Sequence, residues 1–102
     1  MAQFDVHRNA TAAFPPYLVV LSHDIVGSLA TVVVAPLVPI GEVDGRPVPK
    51  LCPKFTIEGE ALALMSTLLA GVPPTVLGVR VASLEQCRGD IIGALDFLFT
   101  GI

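Results

Sequence analysis

The chain has 102 residues, 53% of them apolar and 15% charged, with a formal net charge of −3. That length supports one domain with a modest core, and so much apolar area in so small a body leaves a surplus that self-association would cover, most simply as a two-fold dimer. The basic residues Arg8, Arg46, Lys50, Lys54, Arg80 and Arg88 form no run or stripe, which argues against direct nucleic-acid binding as the main activity, because such binding gains affinity by neutralising phosphates.

Residues 3–8 alternate, with Phe4 and Val6 on one face and Gln3, Asp5 and His7 on the other. That is the pattern of a half-buried strand, with His7 solvated. Residues 9–16 form a connection closed by Pro15-Pro16. Residues 17–21 are continuously apolar and predict a strand buried on both faces. Ser22-His23-Asp24 opens a turn that Gly27-Ser28 prolongs, leaving the apolar pair Ile25-Val26 exposed within it. The valine-rich residues 31–40 predict a third strand. Pro36 removes one ladder donor, which predicts an edge strand or a bulge. Residues 39–53 carry Pro39, Pro47, Pro49 and Pro53 with Gly41 and Gly45 between them, and read as an extended arm with tight turns. Residues 54–58 and 60–64 flank Gly59 as a small hairpin, with Glu58 and Glu60 as solvated charges at its turn. Residues 65–70 fit helix or strand by pattern, and the helix-formers in 61–64 favour helix locally. Residues 72–81 give a turn and then a short valine-rich stretch.

The last twenty residues predict the helix around which the chain is organised. Ser83 and Gln86 have the spacing of a capping box at its start. Leu84, Cys87, Ile91, Leu95 and Leu98 recur at helical spacing, with Ala94 in the same stripe, while Glu85, Arg88, Asp90 and Asp96 fall on the other side. Phe97 or Phe99 is left exposed off the stripe. Such a helix either covers the sheet and stops, or presents its tip to another protein. The whole reads as mainly β with one C-terminal α-helix: a small, strongly bent antiparallel sheet with the helix packed on it.

No membrane span is expected. Residues 61–79 are uncharged and long enough, but Gly71, Pro73 and Pro74 interrupt them, and residues 25–41 contain Pro36 and Pro39. Residues 1–8 alternate and carry Asp5, unlike an export signal. A cytoplasmic protein with Cys52 and Cys87 as reduced thiols is therefore expected. His7, His23 and the two cysteines are too scattered for a metal site. His23 lies beside Asp24, which could orient its imidazole, but no nucleophile is tied to it. There is no phosphate loop or dinucleotide fingerprint. No cofactor and no catalysis are expected.

Taken together, Gln3-Phe4-x-Val6, Ser22-x-Asp24-Ile25, Pro36-Leu37, Pro53-x-x-x-Ile57, Met65-x-Thr67, Ala70-x-Val72-Pro73, Val76-x-Gly78, Val81-Ala82-x-Leu84 and the tail Asp90-Ile91, Ala94, Phe99, Gly101-Ile102 resemble the CcdB-type toxins. These are the gyrase poisons of toxin–antitoxin modules. The specificity lies in the order, spacing and total length of the matches rather than in any one. The resemblance implies an SH3-like barrel-related sheet that forms a homodimer, and it favours strand for residues 65–70. It also implies that Ile25, Val26, Asp96, Phe99, Thr100, Gly101 and Ile102 contact the GyrA subunit of DNA gyrase. Such a toxin traps gyrase on cleaved DNA by binding alone. A CcdA-like antitoxin, through a disordered segment that folds on binding, covers an overlapping surface. One departure stands out: the family tail is Trp-Gly-Ile, and here it is Thr100-Gly101-Ile102. That change implies a weakened poison. It leaves open a non-toxic member that sequesters an antitoxin, and a third alternative is a ribonuclease toxin on a related fold.

Overall fold

The structure, a computed structural model, describes residues 2–23, 31–43 and 49–101. Strands β1 (Asp5–Asn9), β2 (Tyr17–Val20), β3 (Val32–Pro39), β4 (Lys54–Ile57), β5 (Glu60–Leu64), β6 (Ala70–Val72) and β7 (Leu77–Ser83) precede helix α1 (Arg88–Thr100). The strands form one antiparallel sheet in the order β4-β5-β3-β2-β1-β7, with β6 also paired to β3. The sheet curls into a half-barrel with α1 as its single α-helix among the described residues, as the sequence predicts.

β2 shows why its run is apolar throughout. Tyr17 and Val19 belong to the main core with Phe4, Val6, Leu37, Leu62, Leu64, Leu84 and Ile91. Leu18 and Val20 point the other way, into a second cluster with Val32 and Val34, against which Val72, Val76 and Leu77 pack. Successive strand residues face opposite sides, so a strand with apolar material on both sides has no polar position.

The β4–β5 hairpin forms as expected. Ile57 pairs with Glu60, and the two residues between them, Glu58 (φ 52°) and Gly59 (φ 81°), both lie in the left-handed region. That is the two-residue type I′ geometry, whose twist matches that of the strands.

Pro36 is not on an edge. β3 lies inside the sheet, with β2 on one side and both β5 and β6 on the other. β6 pairs with Val32–Val34 and β5 with Leu37–Pro39, so Pro36 falls where the partner changes. Its carbonyl accepts the Met65 N–H there at 2.9 Å. In a strand a residue's N–H and C=O point to the same side, so the missing donor falls at the break between partners.

Three further expectations are corrected. The polar side of β1 is buried: Asp5 and His7 are both in the interior. Phe4 has φ 69°, which interrupts the alternation, and β7 pairs along β1 with two register shifts. Asp5 and one nitrogen of His7 find partners there, while His7 Nε2 is buried without one among the described residues. Arg80 Nε lies 3.0 Å from Asp5 Oδ1, and His7 Nδ1 donates to the Gly78 carbonyl at 2.9 Å. Residues 65–70 are neither a strand nor an α-helix: Ser66–Leu68 is a 3-10 turn and β6 begins only at Ala70. Ser66 is fully buried and its hydroxyl donates to the Leu51 carbonyl, which ties the turn to the end of the arm. The helix also starts later than predicted. Ser83 is the last residue of β7, paired with Asp5, and its hydroxyl accepts from Glu85 N–H at 3.3 Å. A 3-10 turn, Glu85–Cys87, then leads into α1.

Gly78 is fixed by close approach. A Cβ there would lie 2.9 Å from the Arg8 carbonyl oxygen, in backbone that cannot swing away. Gly78→Ala should push β7 off β1 and lower stability by about 1–3 kcal/mol, the usual range for overpacking. Thermal unfolding of the two proteins measures it.

A candidate protein-binding surface at the end of the helix

The buried stripe of α1 is centred on Ile91 and Ala94, with Leu84 just before the helix; Cys87, Leu95 and Leu98 flank it half-buried. Glu85, Arg88, Asp90 and Asp96 are exposed, as the periodicity predicts. The stripe seats the helix on the main core and thereby fixes where its last turn points.

That turn is closed by Gly101. Its φ of 74° is left-handed, and its N–H donates to the Phe97 carbonyl at 2.9 Å. Glycine takes this conformation without the strain a Cβ would bring. The Thr100 hydroxyl donates to the Asp96 carbonyl at 2.6 Å, so its polar group is folded back onto the helix. Phe99 stands out, 72% exposed. The structure thus brings Asp96, Phe99, Thr100 and Gly101 together on one turn. Ile25, Val26 and Ile102 lie outside the described residues.

Phe99 also borders an apolar groove of about 360 Å³, lined by Leu21, Ser22, Val33, Leu69, Leu95 and Phe99. Val33 is exposed within an otherwise buried stretch of β3. Leu68, 58% exposed, belongs to the neighbouring 3-10 turn. Sequence reasoning missed these groove residues, because an apolar residue in a strand reads as core until the neighbouring elements are placed. Phe97 differs from Phe99: it is half-buried, with Lys50 Nζ 5.6 Å from its ring centre.

The hairpin tip is not merely solvated. Glu58 Oε1 accepts from Arg8 Nη2 at 2.6 Å and from the Tyr17 hydroxyl at 2.8 Å, and the Arg8 guanidinium lies 5.6 Å from the Tyr17 ring centre. The contact ties the β4–β5 turn to β1 and β2. The hydrogen bond to Glu58, then burial, then the Glu58 charge push the Tyr17 phenol above its ordinary pKa, against the opposing Arg8 charge. A raised folded-state pKa means a contribution fully present below the unfolded phenol value and lost as pH rises through the folded one. Tyr17→Phe should lower stability by about 1 kcal/mol at neutral pH and remove this alkaline loss. Urea unfolding at neutral and strongly alkaline pH tests both parts.

Among the described residues no three His, Cys, Asp or Glu side chains come together as a metal site, and no helix is long and apolar enough to cross a membrane. The surface at the helix end presents an exposed aromatic ring beside an apolar groove. A family profile described as CcdB protein matches residues 3–101, nearly the whole chain, and the fold is the one that the sequence resemblance implied. This chain belongs to the CcdB family.

Proposed function

We propose that the protein is the toxin of a toxin–antitoxin module, that it binds the GyrA subunit of DNA gyrase, and that it traps gyrase on cleaved DNA without catalysis of its own. The observation that carries this reading is the last turn of α1, where Phe99 is 72% exposed beside the left-handed Gly101. In this reading Asp96, Phe99, Thr100 and Gly101 contact gyrase together with Ile25, Val26 and Ile102. The protein acts in the cytoplasm as a homodimer. The groove beside Phe99 and the 53% apolar composition support self-association. A CcdA-like antitoxin, disordered until bound, covers an overlapping surface.

Light scattering at micromolar concentration should return about twice the 10.7 kDa chain mass. A monomer at that concentration would remove the dimer from the account. Calorimetric titration against a GyrA dimerisation fragment should show saturable binding. It should be lost on removal of Gly101-Ile102.

Thr100 supports a second reading, a family member that sequesters an antitoxin and does not poison gyrase. The side chain has no ring, and its hydroxyl is turned back to Asp96. That reading predicts antitoxin binding with no gyrase binding. A ribonuclease reading predicts cleavage of mixed-sequence RNA without divalent metal; the basic residues form no run or stripe in the sequence, which counts against it.

A further inference from the structure

We propose that the cleft between the end of the arm and α1 binds a small zwitterion with an apolar body, of the size of a dipeptide with free ends. Pro49, Lys50 and Pro53 form its arm side, and Gly89, Gly93 and Phe97 its helix side. Its volume of about 340 Å³ lies at the lower end of small-ligand sites. Successive helix residues turn by about 100°, which sets Gly89, Gly93 and Phe97 on the opposite side of α1 from Leu95 and Phe99. The cleft is therefore separate from the groove beside Phe99, and the proposal does not rest on the gyrase reading.

Two glycines hold the cleft open. A Cβ at Gly89 or Gly93 would meet nothing within 4 Å, so packing within the chain does not require glycine at either position. Each weakens the helix relative to alanine, through the extra backbone freedom lost on folding. A side chain at either position would take up space in the cleft. A local cost that the chain's own packing does not use is expected where a surface serves a ligand.

Charge decides the ligand. Lys50 and Asp90 both border the cleft, yet neither forms an ion pair, with the other or with any other group, among the described residues. Lys50 Nζ instead stands 5.6 Å from the Phe97 ring centre. Two opposite charges held apart beside a glycine floor suit a molecule that carries both, with its carboxylate toward Lys50 and its ammonium toward Asp90. A purely anionic ligand would meet Asp90, and a purely cationic one Lys50. The proline rings and the Phe97 ring give the walls an apolar or aromatic side chain needs.

The test uses the whole protein and the dipeptide alanyl-phenylalanine, followed by amide NMR. Saturable shifts are expected at Gly89, Gly93 and Phe97 at millimolar concentration, with Leu21 and Val33 of the other groove unmoved. Acetylating the amine or amidating the carboxyl of the dipeptide should each weaken binding by about threefold. In Asp90→Asn acetylation should make no further difference, and in Lys50→Gln amidation should make none. Gly93→Leu, which puts a side chain into the cleft, should remove the shifts while circular dichroism shows the fold retained. Absence of saturable shifts, equal binding of the dipeptide blocked at both ends, unchanged binding in Gly93→Leu, or shifts confined to the groove beside Phe99 would each overturn the proposal.

Discussion

Thr100→Trp is expected to strengthen binding to a GyrA dimerisation fragment by roughly 30-fold or more. A tryptophan at a binding hot spot is worth about 2 kcal/mol or more, and each 1.4 kcal/mol is about tenfold in affinity. Threonine offers no ring to stack on a guanidinium or another flat surface. The site accepts the change: Thr100 is exposed, and its hydroxyl bond to the Asp96 carbonyl is local to the helix. The left-handed Gly101 that shapes the tail is untouched. If two tails of a dimer engage gyrase together, the gain is felt twice. Calorimetry reads the affinity, and circular dichroism checks that the fold is retained. If Thr100→Trp and removal of Gly101-Ile102 both leave affinity unchanged, the tail is not the contact surface.

The second large effect concerns stability. Ile91 is fully buried in the main core, so Ile91→Ala should lower stability by about 2–5 kcal/mol through lost burial and a residual cavity. Asp90→Ala, one residue away, should change it by less than about half a kcal/mol. Asp90 lies exposed in the first turn of α1, where losing its favourable placement at the helix N-terminus is offset by the higher helix propensity of alanine. Leu95→Ala should fall between them, because Leu95 is half-buried against the core. In a domain of this size 1 kcal/mol moves the melting temperature by about 4–8 °C, so the three variants are readily ranked by thermal unfolding. Equal melting temperatures for the Ile91 and Asp90 variants would mean that the helical phase is wrong.

What the sequence made legible was local. The β4–β5 hairpin is marked by Gly59 between two short strands, although the turn takes in Glu58 as a second left-handed residue. β2 reads as doubly buried because no polar residue interrupts it, and the α1 stripe follows from spacing alone. The misreadings all involve a partner distant in the chain. Pro36 reads as an edge residue until β5 and β6 are seen to share one side of β3. His7 reads as solvated until β7 supplies Gly78. Ser83 reads as a helix cap until β7 is seen to need it opposite Asp5. The site divides in the same way. Asp96, Phe99, Thr100 and Gly101 are contiguous, so one stretch of sequence reveals them. Leu21, Val33 and Leu69 come from three places, and only the folded sheet joins them to Leu95 and Phe99.

The central claim is that this protein traps gyrase on cleaved DNA, and a cleavage assay tests it most directly. Purified protein is titrated into gyrase, ATP and supercoiled plasmid, and linear DNA is scored after detergent and protease. The account predicts linear DNA that rises with protein concentration. It also predicts that Thr100→Trp shifts the response to concentrations lower by about tenfold or more. Absence of linear DNA with either protein, at concentrations where light scattering finds the dimer fully formed, would contradict it.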